Sequence, residues 1–221
     1  MTPLHDRVLV VGLARSGRAA VRALRSAGAE VVAYDADTAL DATELAADVT
    51  LGDWDDGLLD DVDVVVRSPG VPDQAPPVVA ARARGIDVIS EIELGVRLLP
   101  NPIIGVTGTN GKTTTTALLG AILGEAGWNV EVAGNIGRPL SALVGAVDDD
   151  AWVVCELSSF QLEDVTTLRP RVAVLTNLEP DHLDRHGAFE TYAATKLRVF
   201  CLLYTSPSPR DLSTSRMPSS A

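Results

Sequence analysis

Lysine is nearly absent from this chain: Lys112 and Lys196 stand alone against sixteen arginines. Both sit where a guanidinium would serve poorly, because a primary amine is a compact point charge that fits inside a tight loop and can be covalently modified. Aromatic residues are scarce as well, at 4% against 46% hydrophobic residues overall. The cores must therefore be built from Val, Leu, Ile and Ala, as in buried parallel sheets. Basic charge is in deficit, with a net charge of -12. That excludes a nucleic-acid partner, since nothing would displace counterions from a phosphate backbone, although a nucleotide pocket can still be locally positive. The two cysteines, Cys155 and Cys201, have neither disulfide-framework nor metal-site spacing and read as reduced thiols. No run approaches the roughly 18 consecutive apolar residues of a membrane span, and no basic stretch precedes an apolar one at the N-terminus. A soluble, cytoplasmic protein without a membrane partner is expected.

What is present is a repeated alternation of strands and helices. Apolar runs at 8–11, 31–34, 62–66 and 86–89 predict strands, and the patterns at 16–27 and 76–84 predict helices. Pro69-Gly70-Val71-Pro72 breaks the pattern just after a strand, at the sheet edge where open α/β folds bind ligands. Leu99-Pro100-Asn101-Pro102 interrupts helix and strand alike and marks a boundary. Beyond it, strands are predicted at 103–106, 130–133, 152–155 and 172–176, with helices at 112–126 and 188–200. The fold class is α/β: a Rossmann-like domain over 1–99, then an incomplete P-loop-type ATPase domain with a mostly parallel sheet over 100–200. The serine- and proline-rich segment 201–221 begins in mid-helix; it reads as disordered and foreign to the native coding sequence.

The strongest local signal is the turn from Gly105 to Thr114. Val106 stands where a strict P-loop has its first glycine, but small residues at Gly108, Thr109, Asn110 and Gly111 let backbone N–H groups point inward. Lys112 is placed to meet phosphates and Thr113 to hold magnesium, with Thr114 following on the helix. Gly12-Leu13-Ala14-Arg15-Ser16-Gly17, with Asp35 ending the next strand, imitates a dinucleotide fingerprint with alanine at its middle glycine. From this segment alone an NAD-type ligand, another nucleotide and a structural turn all stand open. Glu156 ends an apolar strand, where an NTPase needs a magnesium ligand, beside Ser158, Ser159 and Gln161. Asp181-His182-Leu183-Asp184 adds a metal or substrate candidate on the same edge, whereas His186 and His5 read as surface residues. Lys196 shares a helix face with Phe189, Tyr192, Ala193 and Phe200. Its amine must snorkel outward, find an acid, or be converted, for example to a carbamate that could ligate a metal.

These motifs, with Ser68-Pro69-Gly70, Gly134-Asn135-Ile136-Gly137 and the run from Glu156 to Glu163, resemble the Mur ligases, the ATP-dependent amide-forming enzymes of peptidoglycan synthesis. The resemblance spans about residues 7–200. It implies that the first domain holds the UDP of the substrate rather than NAD, with Ser16 and Asp35 at the diphosphate and uracil and Ser68 and Gly70 nearby. Asn135, Ser158 and Gln161 would contact the muramoyl group. ATP would bind at Gly108–Thr114, one magnesium ion at Thr113 and Glu156, and a second at His182 and carbamylated Lys196. Lys112, Glu156, His182 and Lys196 are thus the implied catalytic set. The short first domain and the Glu156 to Glu163 run imply the member joining D-glutamate to UDP-N-acetylmuramoyl-L-alanine through an acyl-phosphate, as a monomer. Family members continue into a third domain that supplies the D-glutamate pocket, so the chain reads as an N-terminal fragment that binds the UDP substrate without turnover. Another Mur ligase or a folylpolyglutamate synthase-like ligase is the alternative. An NAD-binding oxidoreductase domain and a non-catalytic nucleotide switch are rivals of different classes.

Overall fold

The structure is a computed structural model that describes residues 7–201. The readings of His5 and of all but the first residue of the 201–221 segment lie outside the described residues; Cys201 ends a helix. Two wholly parallel sheets carry the fold. The first orders its strands β3-β2-β1-β4-β5, with β1 Arg7–Val11, β2 Glu30–Asp35, β3 Asp48–Leu51, β4 Val64–Arg67 and β5 Asp87–Ser90. The second orders them β7-β8-β6-β9, with β6 Ile103–Thr107, β7 Val130–Gly134, β8 Trp152–Glu156 and β9 Val172–Leu175. Strand β1 is near-continuous Val and Leu, and β8 carries Trp152, Val153, Val154 and Cys155, because helices and loops cover both of their faces.

The helices are α1 Arg15–Ser26, α2 Pro76–Ala83, α3 Glu91–Leu98, α4 Lys112–Glu125, α5 Ser159–Glu163, α6 Leu183–His186 and α7 Phe189–Cys201. In each sheet the strand order reverses at the first strand, β1 or β6. The loop after that strand therefore opens onto a crevice at the carboxyl edge. Gly17 belongs to the first such turn for a steric reason: a Cβ there would overlap the Gly12 carbonyl. Among the described residues no helix is long and apolar enough to cross a membrane.

Strand β3 and helices α3, α5 and α6 are additions to the elements expected from the sequence. Helix α3 joins the two halves. Its Leu94 and Leu98 pack into the core of the first sheet, while Ile92, Val96 and Leu99 just beyond it pack into the core of the second. Gly95 lets the helix approach the 3-10 turn Leu140–Leu143, since a Cβ there would meet Leu140 Cγ at 2.7 Å. Both acids of its first turn are buried and reach across. Glu91 accepts the Ser141 N–H at 2.7 Å and the Ser141 hydroxyl at 2.6 Å.

Glu93 accepts from the backbone N–H and hydroxyl of Thr166 and of Thr167, and from Arg97 Nε at 2.9 Å. Burial pushes the Glu93 pKa up, but the bonds from Thr166 and Thr167 outweigh it and leave the carboxyl below its ordinary value. Glu93→Ala would strand buried donors and lower the unfolding free energy by roughly 3 kcal/mol, read from urea denaturation at neutral pH. A carboxyl with a lowered native pKa stabilises fully above its unfolded value, near 4.5, and loses that contribution as pH falls through the native value. The stability gap between wild type and Glu93→Ala should therefore close on acidification, in the same denaturation experiment repeated down the pH scale.

Candidate functional site

The carboxyl edge of the first sheet opens into a cleft of about 560 Å³. Ser16, Asp35, Ser68 and Gly70 line it, as do Asn135 and Gln161 from the second sheet's side. The α1 N-terminus lies at this cleft with no side-chain cap, which leaves helix N–H groups and the positive dipole end for an anion. Asp35 has a structural task as well. Its two oxygens accept the Leu13 N–H at 2.6 Å and the Asp37 N–H at 2.9 Å, which fixes the loops at the ends of β1 and β2. Ser68 is similarly committed, donating its hydroxyl to the Gly12 carbonyl at 2.7 Å.

The second crevice is built on the turn between β6 and α4. Gly108 has φ 142°, and a Cβ there would strike the Thr176 hydroxyl, so only glycine fits. Gly111, at φ 80°, precedes α4 without a side-chain cap and leaves its first N–H groups open. The segment after β9 braces the turn from outside. Asn177 Oδ1 accepts the Asn110 N–H at 2.9 Å, the Thr176 hydroxyl donates to the Asn110 carbonyl at 2.6 Å, and Asn110 Nδ2 donates to Glu179 at 3.1 Å.

Beside this turn is a cavity of about 130 Å³ lined by Lys112, Asn135, Ser158, Asp181, His182 and Lys196, together with Ser159, Phe160 and Tyr192. Both lysines point into the turn. Lys112 Nζ donates to the Thr109 carbonyl and Lys196 Nζ to the Gly108 carbonyl, each at 2.7 Å. Lys196 does not snorkel: it is 2% exposed, and its Nζ lies 4.7 Å from the centre of the Tyr192 ring. Burial, and then the positive charge of Lys112, pull its pKa down to about 8, against a smaller upward pull from Asp181.

Glu156 pairs in register with Val106, on the strand next to the turn. Its carboxylate is buried and accepts Asn135 Nδ2 at 3.0 Å. Asn135 also lines both cavities, so it stands where the two clefts meet. Thr113 and Thr114 occupy the exposed start of α4, outside the lining of the small cavity. Ser158 and Gln161 cap α5 for each other: Gln161 Oε1 accepts the Ser158 N–H and hydroxyl at 3.0 Å, and Ser158 Oγ accepts the Gln161 N–H at 3.3 Å.

Two adjoining ammonium groups, open helix N–H groups and a glycine-only turn fit a polyanion. Among the described residues no group of three or more His, Cys, Asp or Glu side chains is gathered for a metal ion. Such an arrangement suits magnesium only in the mode where one or two protein oxygens act together with phosphate oxygens.

The structure overturns one reading. His186 is no surface residue: its side chain is 3% exposed, its Nε2 lies 3.0 Å from the Ser159 hydroxyl, and its ring stacks on Phe160 at 5.7 Å. Two neighbours of the site had no reading from the sequence, and a third had only a partial one. Arg67 is buried among Asp73, Glu163 and Asp164, while Arg185 pairs with Glu163 at 2.6 Å and lies 4.0 Å over the Phe160 ring. The third, Tyr192, was read only as part of an apolar helix face. Its hydroxyl in fact meets Thr109 Oγ1 at 3.0 Å, which ties α7 to the phosphate-type turn.

Residues 6–90 match the Mur ligase MurD-like N-terminal domain, and residues 106–206 match the Mur ligase middle domain. The UDP-N-acetylmuramoylalanine--D-glutamate ligase of Pelotomaculum thermopropionicum is 49% identical over 203 residues, which cover 89% of this chain and 45% of the relative. The enzyme of the same name from Koribacter versatilis is 45% identical over 201 residues, 88% of this chain and 44% of the relative. The chain thus spans about half the length of the curated relatives it matches. Among solved structures, UDP-N-acetylmuramate:L-alanyl-gamma-D-glutamyl-meso-diaminopimelate ligase from Neisseria meningitides superposes with a TM-score of 0.58 at 25% identity, covering 89% of this chain and 68% of that one. With both sheets assigned to the same group of enzymes, the chain belongs to the Mur ligase family.

Proposed function

We propose that this chain carries the UDP-substrate and ATP sites of a ligase joining D-glutamate to UDP-N-acetylmuramoyl-L-alanine in cytoplasmic peptidoglycan synthesis. The observation that carries the reading is the junction at Asn135. It joins a cleft with an uncapped helix N-terminus to a cavity holding both lysines, so a nucleotide-linked substrate in one would extend toward a triphosphate in the other. The relatives' shared name supplies the D-glutamate specificity.

In this reading, residues 1–99 hold the UDP group through the α1 N-terminus, Ser16, Asp35, Ser68 and Gly70. Asn135, Ser158 and Gln161 orient the muramoyl-alanine end. Residues 100–200 hold ATP: Gly108 to Gly111 offer backbone N–H groups, Lys112 neutralises phosphate charge, and Thr113 and Thr114 begin the helix that faces it. Thr113 and Glu156 would hold one magnesium ion, and His182 with carbamylated Lys196 the second. These ions would screen the substrate carboxylate from the triphosphate, which it would otherwise repel. The reaction class is phosphoryl transfer to the alanine carboxylate to give an acyl-phosphate, followed by amine attack and loss of phosphate. The chain's own contribution is to position two anions against each other, with no covalent protein nucleophile.

Lys112→Met removes one charged donor from the turn. It should weaken ATP binding to the chain by at least about tenfold while UDP affinity changes less than about twofold, as measured by titration calorimetry. Equal weakening of both would count against the division of the two sites.

Only the neutral amine reacts with carbon dioxide, so a Lys196 pKa of about 8 places carbamate formation within reach of mildly alkaline solution. With ¹³C-bicarbonate, a carbamate carbon signal should grow as pH rises through about 8 and be missing in Lys196→Arg. An equal signal in that variant would refute the assignment.

A further inference from the structure

Glu163 stands between the two clefts and belongs to neither lining. It ends α5, and its carboxylate gathers three partners from two other segments. Oε2 pairs with Arg67 Nη2 at 3.1 Å and with Arg185 Nη2 at 2.6 Å, and Oε1 lies 3.7 Å from His186 Nδ1. Arg67 ends β4, immediately before the loop at 68–72 that borders the large cleft. Arg185 and His186 belong to α6, whose N-cap residue is His182. Arg185 Nη1 closes the circuit by donating to the Pro69 carbonyl at 3.3 Å.

His182 needs such support. It is a non-glycine residue at φ 50°, a left-handed conformation that persists only where the surroundings enforce it. The enforcement is visible: the Phe160 ring lies 4.8 Å from the His182 ring, 4.0 Å under the Arg185 guanidinium and 5.7 Å from the His186 ring. Helix α6 has one turn and no side-chain cap, so its seat on α5 rests on these rings, on the Ser159 hydroxyl at His186 Nε2 and on Glu163.

We propose that Glu163 is a positioning residue that holds the His182 turn against α5 and sets it relative to the 68–72 loop. This rests on the reading of the Lys112 and His182 side as the nucleotide and metal side. Its partners are unequally dependent on it. Arg67 keeps Asp73 at 2.7 Å and Asp164 when Glu163 is gone. Among the described residues, Arg185 and His186 pair with no other carboxylate. Removing the carboxylate should thus spare the UDP cleft and loosen the His182 side, a split that general destabilisation would not produce.

The test compares wild type, Glu163→Ala and Glu163→Gln as the full 221-residue chain, with circular dichroism reporting the fold. Calorimetry with magnesium-ATP and with UDP gives two affinities, and ¹H–¹⁵N correlation spectra report the imidazole of His182. Glu163→Ala should weaken magnesium-ATP binding by about tenfold, leave UDP within about twofold and move the His182 ring signals toward those of a free imidazole. Glu163→Gln, which keeps an acceptor oxygen, should show the same pattern at smaller amplitude and covers the case in which the alanine variant does not fold. Equal loss of both ligands, or His182 signals unmoved in a folded variant, would overturn the proposal. A wild-type chain that binds neither nucleotide would refute the function proposed above, and the His182 signals would still decide the role of Glu163.

Discussion

Everything at the phosphate-type turn follows from the parallel pairing of β6 between β8 and β9. That pairing places Val106 beside Glu156 and Thr107 beside Leu175, so the segments leaving all three strands converge at one edge. The turn itself is too open to hold its own shape: Gly108 and Gly111 both take positive φ. Asn177, Thr176 and Glu179 supply the restraint from the β9 side, and Lys196 supplies it from α7. A glycine-rich turn is permissive by nature, and its rigidity is lent by neighbours.

The same edge concentrates positive charge in a chain whose net charge is -12. Lys112 and Lys196 donate to carbonyls of adjacent residues, and their mutual repulsion adds to the burial that lowers the Lys196 pKa. Two amines held this way favour an incoming anion, or conversion of one amine to a neutral or anionic form. Cys155, by contrast, lies buried in β8 with its thiol pKa pushed up by burial and by the nearby acids Glu91 and Glu156, and is chemically quiet.

Two kinds of contact hold the sheets in relation to each other. Helix α3 is apolar on two faces, one for each core, and its Glu91 and Glu93 accept hydrogen bonds from Ser141, Thr166 and Thr167. At the edge where the clefts open, Arg67 reaches Glu163 and Asp164. Buried charges of this kind add little net stability, but each partner left alone is costly, which makes the arrangement hard to displace.

The strands were legible because β1, β2, β4, β6 and β8 are local apolar runs, and the turn at 105–114 because its glycines, lysine and threonines are contiguous. Lys196 was legible in part: its spacing with Tyr192 put its stem on an apolar face, but no spacing could name the Gly108 carbonyl, 88 residues away, as its partner. Helix α3 was missed although Ser90 and Glu93 carry a cap signature, and Glu93 N–H does bond Ser90 Oγ at 3.2 Å. Gly95 obscured its pattern, and two apolar faces look like no face until both cores exist. His186 lies in a polar run, Asp184-Arg185-His186-Gly187, and it is Phe160, Ser159, Glu163 and Tyr192 from other segments that surround it. The sequence by itself determined the element types, the phosphate-type turn and the family, because these depend on neighbours along the chain. The meeting of the clefts at Asn135, the buried seat of Lys196 and the clustering around Glu163 were decided by tertiary structure alone, because burial and charge pairing depend on groups that only folding brings within reach.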